Sequence, residues 1–331
     1  MRVLITGGTG FVGRHVVQAL QNKHSLSVPS RKDLDLIEVR RLNEGYIAHN
    51  GSIGFSDWLD DFGPFDAIVH LAATCGGIGI NKDNPGRFIY ENLQMGINVL
   101  EAARLAGVKK VVNLGTVCAY PKFTPVPFKE EDLWNGYPEE TNAPYGIAKK
   151  TIIEMAIAYH DQYGLDVTNL LPANMAGEYD HFDEYSSHVI PAIIKKFERP
   201  ECSMYLPDEP PGHMIDGMHV RLWGTGAASR EFLYAGDCAR AIALALERDT
   251  GPEPINLGTG REITIRDLAY LIRSIGGNDR VGVMFQTNKL DGQPRRSFDV
   301  TRAKERLGWE ATTSLEEIIR RTIDWYRANG K

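Results

Sequence analysis

The chain has 331 residues, of which 43% are hydrophobic and 24% are charged, and it carries a formal net charge of −6 at pH 7. Its length exceeds one average domain and suits two interlocked ones, while the acidic balance excludes a general attraction for nucleic acid or for an anionic membrane. No apolar run approaches the length of a membrane span, and neither a zinc-site spacing nor a disulfide framework occurs among the four cysteines, Cys75, Cys118, Cys202 and Cys238.

A glycine-rich loop joins the first predicted strand to the first predicted helix. Arg2 to Thr6 is an apolar strand, and Phe11 to Leu20 has the apolar spacing of a helix. Gly7, Gly10 and Gly13 lie at this turn, where missing side chains let backbone amides approach a pyrophosphate at the positive end of a helix. The strand follows the first residue directly, so we expect no signal peptide, and the absence of a disulfide framework favours a reducing cytoplasm.

The residues after this loop narrow the choice of ligand. A P-loop requires Gly-Lys-Ser/Thr at its end, whereas this loop ends in Gly13-Arg14-His15, so a dinucleotide is favoured. The second predicted strand, Ser25 to Pro29, is followed by Ser30-Arg31-Lys32 and not by the acidic residue that would bind a ribose 2′-hydroxyl. A cation suits a 2′-phosphate, so we expect NADP, with Arg31 as its contact. Two solvated surface charges are the alternative.

Strands and helices then alternate along the chain. Ala67 to Leu71, Lys110 to Leu114 and Asp166 to Leu171 have the composition of buried parallel strands, and Arg87 to Ala106 and Tyr145 to Tyr163 are predicted helices. This alternation predicts an α/β fold with a doubly wound parallel sheet of the Rossmann type.

Beyond Pro172 the chain becomes irregular and rich in proline and glycine, before helices are predicted at Ile265 to Ile275 and Leu315 to Tyr326. We interpret this part as a smaller, discontinuous α/β substrate-binding domain. The predicted division assigns residues 1–172 and about 228–258 to the dinucleotide-binding domain. Residues of about 173–227 and 259–331 form the substrate-binding domain.

Tyr145 and Lys149 stand one helical turn apart in a predicted helix. Residues at i and i+4 share a helix face, so we expect the Lys149 ammonium to lie near the phenol and to lower the pKa of Tyr145 toward neutrality. Thr116 follows the strand Lys110 to Leu114, at the carboxyl end of a parallel strand, where open α/β sheets place their ligands. These three side chains can exchange a proton with a carbonyl or alcohol oxygen, which indicates hydride chemistry.

Thr116, Tyr145 and Lys149 behind a dinucleotide loop resemble the extended short-chain dehydrogenase/reductase superfamily. The resemblance implies nucleotide-sugar substrates and a second role for Lys149 at the nicotinamide ribose. It narrows to the GDP-L-fucose synthase family through the order and spacing of five further segments: Cys118-Ala119-Tyr120-Pro121-Lys122, Ser187-His188-Val189-Ile190-Pro191-Ala192, Trp223-Gly224-Thr225-Gly226, Arg230-Glu231-Phe232-Leu233 and Lys289-Leu290-Asp291-Gly292-Gln293-Pro294-Arg295.

That family takes GDP-4-keto-6-deoxy-D-mannose, inverts C3 and C5, and reduces the C4 ketone with NADPH. The resemblance implies that Cys118 is the base and His188 the acid of the inversions, with Thr116 and Tyr145 stabilising the enolate oxygen. A catalytic cysteine must be largely thiolate, so we expect a cationic neighbour or a donor network around Cys118. Taken alone, Cys118 also fits a small buried hydrophobic residue.

The remaining ligand contacts are expected from position and from the same resemblance. Arg230 and Lys289 are assigned to the diphosphate or ribose, with Lys196 as a further cation. Trp223 either stacks on the guanine or belongs to the core. Besides the loop glycines and Arg31, the expected cofactor contacts are Phe11, Val12, Asp35, Leu36, Leu71, Ala72, Ala73, Lys149, Pro172 and His188.

The chain departs from the family pattern in the turn after the family's sixth strand. An Asn-Leu-Tyr-Gly-Pro-like turn is usual there, whereas this chain has Ala176 and Glu178, which would remove an aromatic wall and add a carboxylate near the sugar. The segment from Glu198 to His219 is also long. A related nucleotide-sugar 4-ketoreductase or epimerase acting on a different hexose is therefore an alternative, and a non-catalytic NADP-binding sensor is a more remote one.

Apolar residues on the two long predicted helices suggest a homodimer. The family resemblance implies a four-helix bundle across a two-fold axis, although burial in the core produces the same pattern. The residues concerned are Leu93, Ile97, Leu100, Ile153, Ala156 and Ile157.

Overall fold

The computed structural model describes residues 1–37, 39–42, 45–48, 55, 59, 63–183, 186–202, 217–289 and 292–330. Most of the long segment between Glu198 and His219 lies outside these residues, as do Leu290 and Asp291.

A six-stranded parallel sheet forms the centre of the first part of the chain. Its strands pair in the order β12-β7-β6-β5-β1-β2. The inner strands carry valine, isoleucine and leucine on both faces and are buried along their length, because helices cover the sheet on both sides. The strands are β1 (Arg2–Thr6), β2 (Ser25–Ser27), β5 (Ala67–His70), β6 (Lys110–Leu114), β7 (Asp166–Pro172) and β12 (Ile255–Leu257).

The helices around this sheet follow the alternation expected from the sequence. The α/β fold with a parallel central sheet is thus confirmed. The helices α3 and α4 each begin two residues before their predicted start, with a proline in the first turn, where its fixed φ suits a helix. The helices are α1 (Phe11–Leu20), α2 (Ile78–Asp83), α3 (Pro85–Leu105), α4 (Ala143–Tyr163) and α6 (Ala235–Glu247).

The later part of the chain builds smaller sheets and a third apolar core. One sheet has the order β14-β10-β9, another has the order β13-β11-β8, and β3 pairs with β4 as a hairpin. The elements are β3 (Val39–Leu42), β4 (Gly45–Ala48), β8 (Asn174–Ala176), α5 (Val189–Glu198), β9 (Glu201–Cys202), β10 (Met218–Trp223), β11 (Ser229–Tyr234), β13 (Glu262–Thr264), α7 (Ile265–Ile275), β14 (Gly282–Gln286), α8 (Thr301–Leu307) and α9 (Leu315–Asn329).

The two parts of the chain interleave along the sequence. Strand β12 completes the central sheet, whereas β11, at the start of the segment 228–258, pairs with β8 and β13 outside it. The apolar core of the later part joins α5, α7, α9 and the strands β10 and β11. The domain boundaries stay a prediction.

Two glycines permit close packing next to the site. Gly7 has a φ of +72°, and a Cβ there would lie 2.7 Å from the Ala72 nitrogen, so the loop after β1 can lie against the end of β5. A Cβ at Gly96 would lie 2.5 Å from the Ile152 side chain, so α3 and α4 approach closely. Among the described residues, no helix is long and apolar enough to cross a membrane.

Candidate active site

One cavity of about 1550 Å³ lies at the carboxyl ends of β1, β5, β6 and β7. All of the cofactor, catalytic and substrate residues expected from the sequence line it. Parallel strands end at the same edge of a sheet, so residues that are distant in sequence converge there. The volume exceeds that of a typical drug-sized pocket and suits two large ligands. The cavity also contains residues that the sequence did not single out, among them Cys75, His181, Gln293 and Arg296.

The start of α1 provides an anion-binding end to this cavity. Gly10 caps the helix without a side-chain hydrogen bond, and the first turn holds no acidic residue. The first backbone amides therefore remain available to a pyrophosphate. Arg31 is exposed at the far end of the same region, with its Nε 3.8 Å from the Asp35 carboxylate.

Tyr145, Thr116 and Lys149 lie together, but their electrostatics differ from the expectation. Desolvation in the cavity raises the pKa of Tyr145 well above its ordinary value, and the hydrogen bond with Thr116 only partly opposes this. The Lys149 amine is buried, which lowers its pKa to about 8, and it donates to the Leu114 carbonyl at 3.0 Å. The expected lowering of the Tyr145 pKa is therefore wrong, because desolvation dominates and the nearby Cys75 and Cys118 raise this pKa further.

Cys118 lies in a short 3₁₀ turn, Val117–Ala119, directly after Thr116. Its backbone nitrogen donates to the Thr116 hydroxyl at 3.2 Å. A Cβ at Gly146 would lie 2.2 Å from the Cys118 carbonyl oxygen, so only a glycine lets α4 come this close and bring Tyr145 beside the thiol.

Arg296 provides the cationic neighbour of Cys118. The Nη1 atom of this buried guanidinium lies 3.6 Å from the Cys118 sulfur. Its Nε donates to the Gln293 side-chain oxygen at 2.7 Å, and the Gln293 amide donates in turn to the Lys122 carbonyl at 2.7 Å. Arg296 follows directly on the last motif segment quoted above, so proximity to that segment is the signal that could have identified it. Arg295, in contrast, forms an exposed ion pair with Glu262.

His188 caps the start of α5, and its Nδ1 lies 3.4 Å from Oδ1 of the buried Asp180. His181 approaches the same oxygen at 3.4 Å. Burial alone would raise the pKa of Asp180, but the contacts from His181 and His188 outweigh it and lower this pKa. Each of these three residues places one side-chain donor atom within 4.8 Å of the other two. In the described part of the chain, no other group of three or more histidine, cysteine or acidic side chains does so.

The substrate candidates line the same cavity as the loop glycines. Arg230 is buried and donates to the Ser229 carbonyl at 2.6 Å, while Lys196 donates to the Arg221 carbonyl. Lys289 is exposed at the cavity. Trp223 is 59% exposed, which excludes the core alternative and leaves its ring accessible to a ligand.

Two expectations about the sugar pocket are wrong. Ala176 is fully buried, and neither it nor Glu178 lines the cavity. The Glu178 carboxylate instead accepts from the Tyr234 hydroxyl at 3.0 Å and lies 3.6 Å from Arg321. The turn directs this side chain away from the cavity, so it adds no charge to the sugar site.

Comparisons with known proteins cover nearly the whole chain. The family model described as NAD dependent epimerase/dehydratase family matches residues 3–258, and that of GDP-mannose 4,6 dehydratase matches residues 214–322. A GDP-L-fucose synthase from Escherichia coli (strain K12) is 34% identical, over 99% of this chain and 97% of that protein.

Two solved structures from Campylobacter jejuni have the same fold. A GDP-6-OMe-4-keto-L-xylo-heptose reductase has a TM-score of 0.83 and 26% identity, covering 99% of this chain and 97% of the other. A GDP-mannoheptose C4 reductase with NADP bound has a TM-score of 0.80 and 26% identity, covering 98% of both chains.

The contact between Arg296 and Cys118 predicts a reactive thiol. Arg296→Met should slow alkylation of Cys118 by iodoacetamide near neutral pH roughly tenfold, because a cation within reach of the sulfur favours the thiolate. Peptide mass spectrometry would measure the rate at Cys118 separately from the other cysteines. Arg295→Met is the matched control and should leave the rate unchanged. Equal slowing in both variants would show that the Arg296 guanidinium has no specific effect on the Cys118 thiol.

Proposed function

The chain belongs to the NAD dependent epimerase/dehydratase family, and within it we propose an NADPH-dependent conversion of GDP-4-keto-6-deoxy-D-mannose to GDP-L-fucose. The reaction inverts C3 and C5 and then reduces the C4 ketone. The observation that carries this proposal is the presence of two proton-transfer systems in one cavity: Thr116 and Tyr145 as one, Cys118 and His188 as the other. A simple ketoreductase requires only the first.

The cofactor is NADP(H), which supplies or accepts a hydride at the nicotinamide when bound. The similar C4 reductase that holds NADP supports this assignment. The first-turn amides of α1 would bind the pyrophosphate, and Arg31 would contact the 2′-phosphate. Lys149 would bind the nicotinamide ribose from the floor of the cavity.

The inversions require a base and an acid on opposite faces of the sugar. Protons on C3 and C5 are acidic because the ketone at C4 delocalises the resulting negative charge onto its oxygen. The Cys118 thiolate, held beside the Arg296 guanidinium, would remove a proton, and His188 would return one on the other face. Thr116 and Tyr145 would donate hydrogen bonds to the enolate oxygen.

The electrostatics of Tyr145 suit the reduction that follows. A raised pKa keeps the phenol protonated, which is the form that can donate a proton to the C4 oxygen as hydride arrives. Lys149, with a pKa of about 8, is mostly an ammonium at neutral pH and would stabilise the tyrosinate that remains. Arg230, Lys196, Lys289 and Trp223 would hold the GDP group.

A nucleotide-sugar 4-ketoreductase acting on another hexose is the second candidate. The similarity to the two Campylobacter heptose reductases favours it, since both have the same fold and align with this chain over nearly their whole length. Product stereochemistry separates the two candidates, because a reductase without epimerase activity leaves C3 and C5 unchanged.

Purified protein, NADPH and GDP-4-keto-6-deoxy-D-mannose in D₂O test the proposed reaction. We expect oxidation of NADPH and deuterium at C3 and C5 of the product. Cys118→Ser should reduce deuterium incorporation at least a hundredfold, the usual scale for loss of an acid–base group, while reduction of a pre-epimerised ketone falls much less. Absence of NADPH oxidation by the unaltered protein would contradict the proposed reaction, and equal loss of both steps would give Cys118 a structural role.

Arg31→Ala tests the cofactor preference. Loss of a charge-assisted contact to the 2′-phosphate should weaken NADPH binding about ten- to a hundredfold and leave NADH binding unchanged. Fluorescence titration with both dinucleotides measures this difference. Lys32→Ala is the control, with little expected effect. Parallel weakening of NADPH and NADH would assign Arg31 a role outside the 2′-phosphate.

We also propose a homodimer through the outer faces of α3 and α4. Leu100, Ile153 and Ala156 are buried within the subunit, so they cannot form this contact, whereas Tyr90 and Ile97 are 58% and 39% exposed. The neighbouring face of α4 holds an apolar groove beside Trp134, Ile147 and Met155. Together these surfaces fit a four-helix arrangement with a second copy.

Ile97→Lys should convert this dimer to a monomer, because it places a charge at the centre of the apolar contact. Sedimentation equilibrium measures the mass. Tyr270→Lys is the control, since Tyr270 is equally exposed, at 39%, but lies on α7. A monomeric unaltered protein, or an unaltered mass in the Ile97 variant, would contradict this interface.

A further inference from the structure

The turn after β8 holds Asp180 in a fixed orientation. Tyr179 has a φ of +68°, a left-handed conformation that residues other than glycine rarely adopt. Its side chain is fixed by α1: Gln18 donates to the Tyr179 hydroxyl at 2.9 Å, the His15 ring packs edge-on at 5.4 Å, and the Arg14 guanidinium lies 5.2 Å from the ring centre. The helix that begins at the dinucleotide loop therefore fixes the residue next to Asp180.

Asp180 is the shared partner of two imidazoles. Its Oδ1 accepts from the His181 backbone nitrogen at 2.9 Å and lies 3.4 Å from Nδ1 of both His181 and His188. The other oxygen is buried and has no hydrogen-bond partner among the residues that the structure describes. No described arginine or lysine forms an ion pair with Asp180, so the compensation of its charge comes from the histidines.

Both ring nitrogens of His181 face hydrogen-bond acceptors. Nε2 lies 2.9 Å from the Ser186 carbonyl, and Nδ1 faces the Asp180 carboxylate. Both partners are acceptors only, so the ring satisfies both as an imidazolium. The interaction of the His181 ring with the Asp180 carboxylate raises the pKa of His181 above its ordinary value.

The same rule fixes the tautomer of His188. Its Nδ1 faces the carboxylate and therefore carries a proton, which leaves Nε2 as the ring atom that can exchange a proton with the substrate. A carboxylate beside an imidazole favours the charged form of that ring. A neighbouring imidazolium has the opposite effect.

We propose that Asp180 and His181 are positioning residues for His188: the carboxylate fixes the Nδ1–H tautomer, and the His181 imidazolium offsets the carboxylate charge so that Nε2 can release its proton. The inference rests on the proposed role of His188 as the acid of the inversions. The inference also requires that Asp180 and His181 influence proton release from His188 in opposite directions.

Other ionisable groups face this cluster from neighbouring elements. Asp183 lies on the same turn and Cys75 on the loop before α2, while α4 and α5 contribute further groups to the cavity wall. These groups remain constant among the variants below, so a difference between variants reports on Asp180 and His181. The groups on the two helices are Tyr145, Lys149 and Lys196.

Nitrogen NMR of the full chain labelled with ¹⁵N-histidine tests the tautomer without any need for turnover. At pH 6 we expect His181 to be doubly protonated, and at higher pH we expect the neutral form of His188 to carry its proton on Nδ1, with both signals assigned by His181→Gln and His188→Gln. A neutral His181 at pH 6, or an Nε2–H tautomer of His188, would overturn the proposal. Displacement of both Nδ1 protons by one equivalent of Zn²⁺ would identify a metal site and would also overturn it.

The pH dependence of C3 and C5 inversion tests the opposing directions. The inversion requires a protonated acid, so its rate should fall at high pH. Asp180→Asn should move this fall to lower pH and His181→Gln to higher pH, each by about one unit, the usual scale for a charge at this distance. His160→Gln, which alters a histidine on the outer part of α4, should leave it in place.

If both variants move the high-pH fall of the inversion rate in the same direction, or lose rate without moving it, Asp180 and His181 have a merely structural role. Absence of inversion by the unaltered protein would contradict the proposed function, and the tautomer measurement would still decide the inference.

Discussion

The contact between the Arg296 guanidinium and the Cys118 thiol is the interaction on which the proposed chemistry depends. It joins residues 178 positions apart, so the fold must hold both segments rigidly. The buried Glu231 carboxylate contributes to this, because it accepts from the backbone nitrogens of Phe298 at 2.7 Å and Gly260 at 2.8 Å. Asn256 joins the same region to the segment after Cys118, accepting from the Tyr120 hydroxyl at 2.8 Å and donating to the Phe128 carbonyl at 3.0 Å. Buried polar groups that are satisfied in this way specify one arrangement of the chain.

Local charge in the cavity differs from the charge of the whole protein. The chain is acidic overall, yet Arg230, Arg296 and Lys149 are buried at the wall of one cavity. Low solvent exposure strengthens the effect of each cation on its neighbours. The same desolvation raises the pKa of Tyr145 and keeps its phenol protonated.

The turn between β8 and α5 joins α1 to the cluster of Asp180, His181 and His188. Its left-handed Tyr179 packs on α1, whose first turn forms the anion-binding end of the cavity, and the next residue is the carboxylate that faces His188. A strained backbone is maintained where surrounding contacts determine it, as the side chains of α1 do here. The two ends of the site are therefore built on one continuous set of contacts.

The sequence by itself determined the elements and the set of side chains that meet in the cavity. The strand Arg2–Thr6 and the helix Phe11–Leu20 have the predicted bounds, since apolar periodicity and glycine placement are local properties. The tertiary structure decided what each side chain does. Arg296, Asp180 and His181 contact neighbours that no sequence spacing encodes. The position of Glu178 was predicted wrongly because the direction of its side chain depends on the turn. The pKa of Tyr145 was expected to shift the opposite way, because desolvation arises only when distant segments exclude water from the same space.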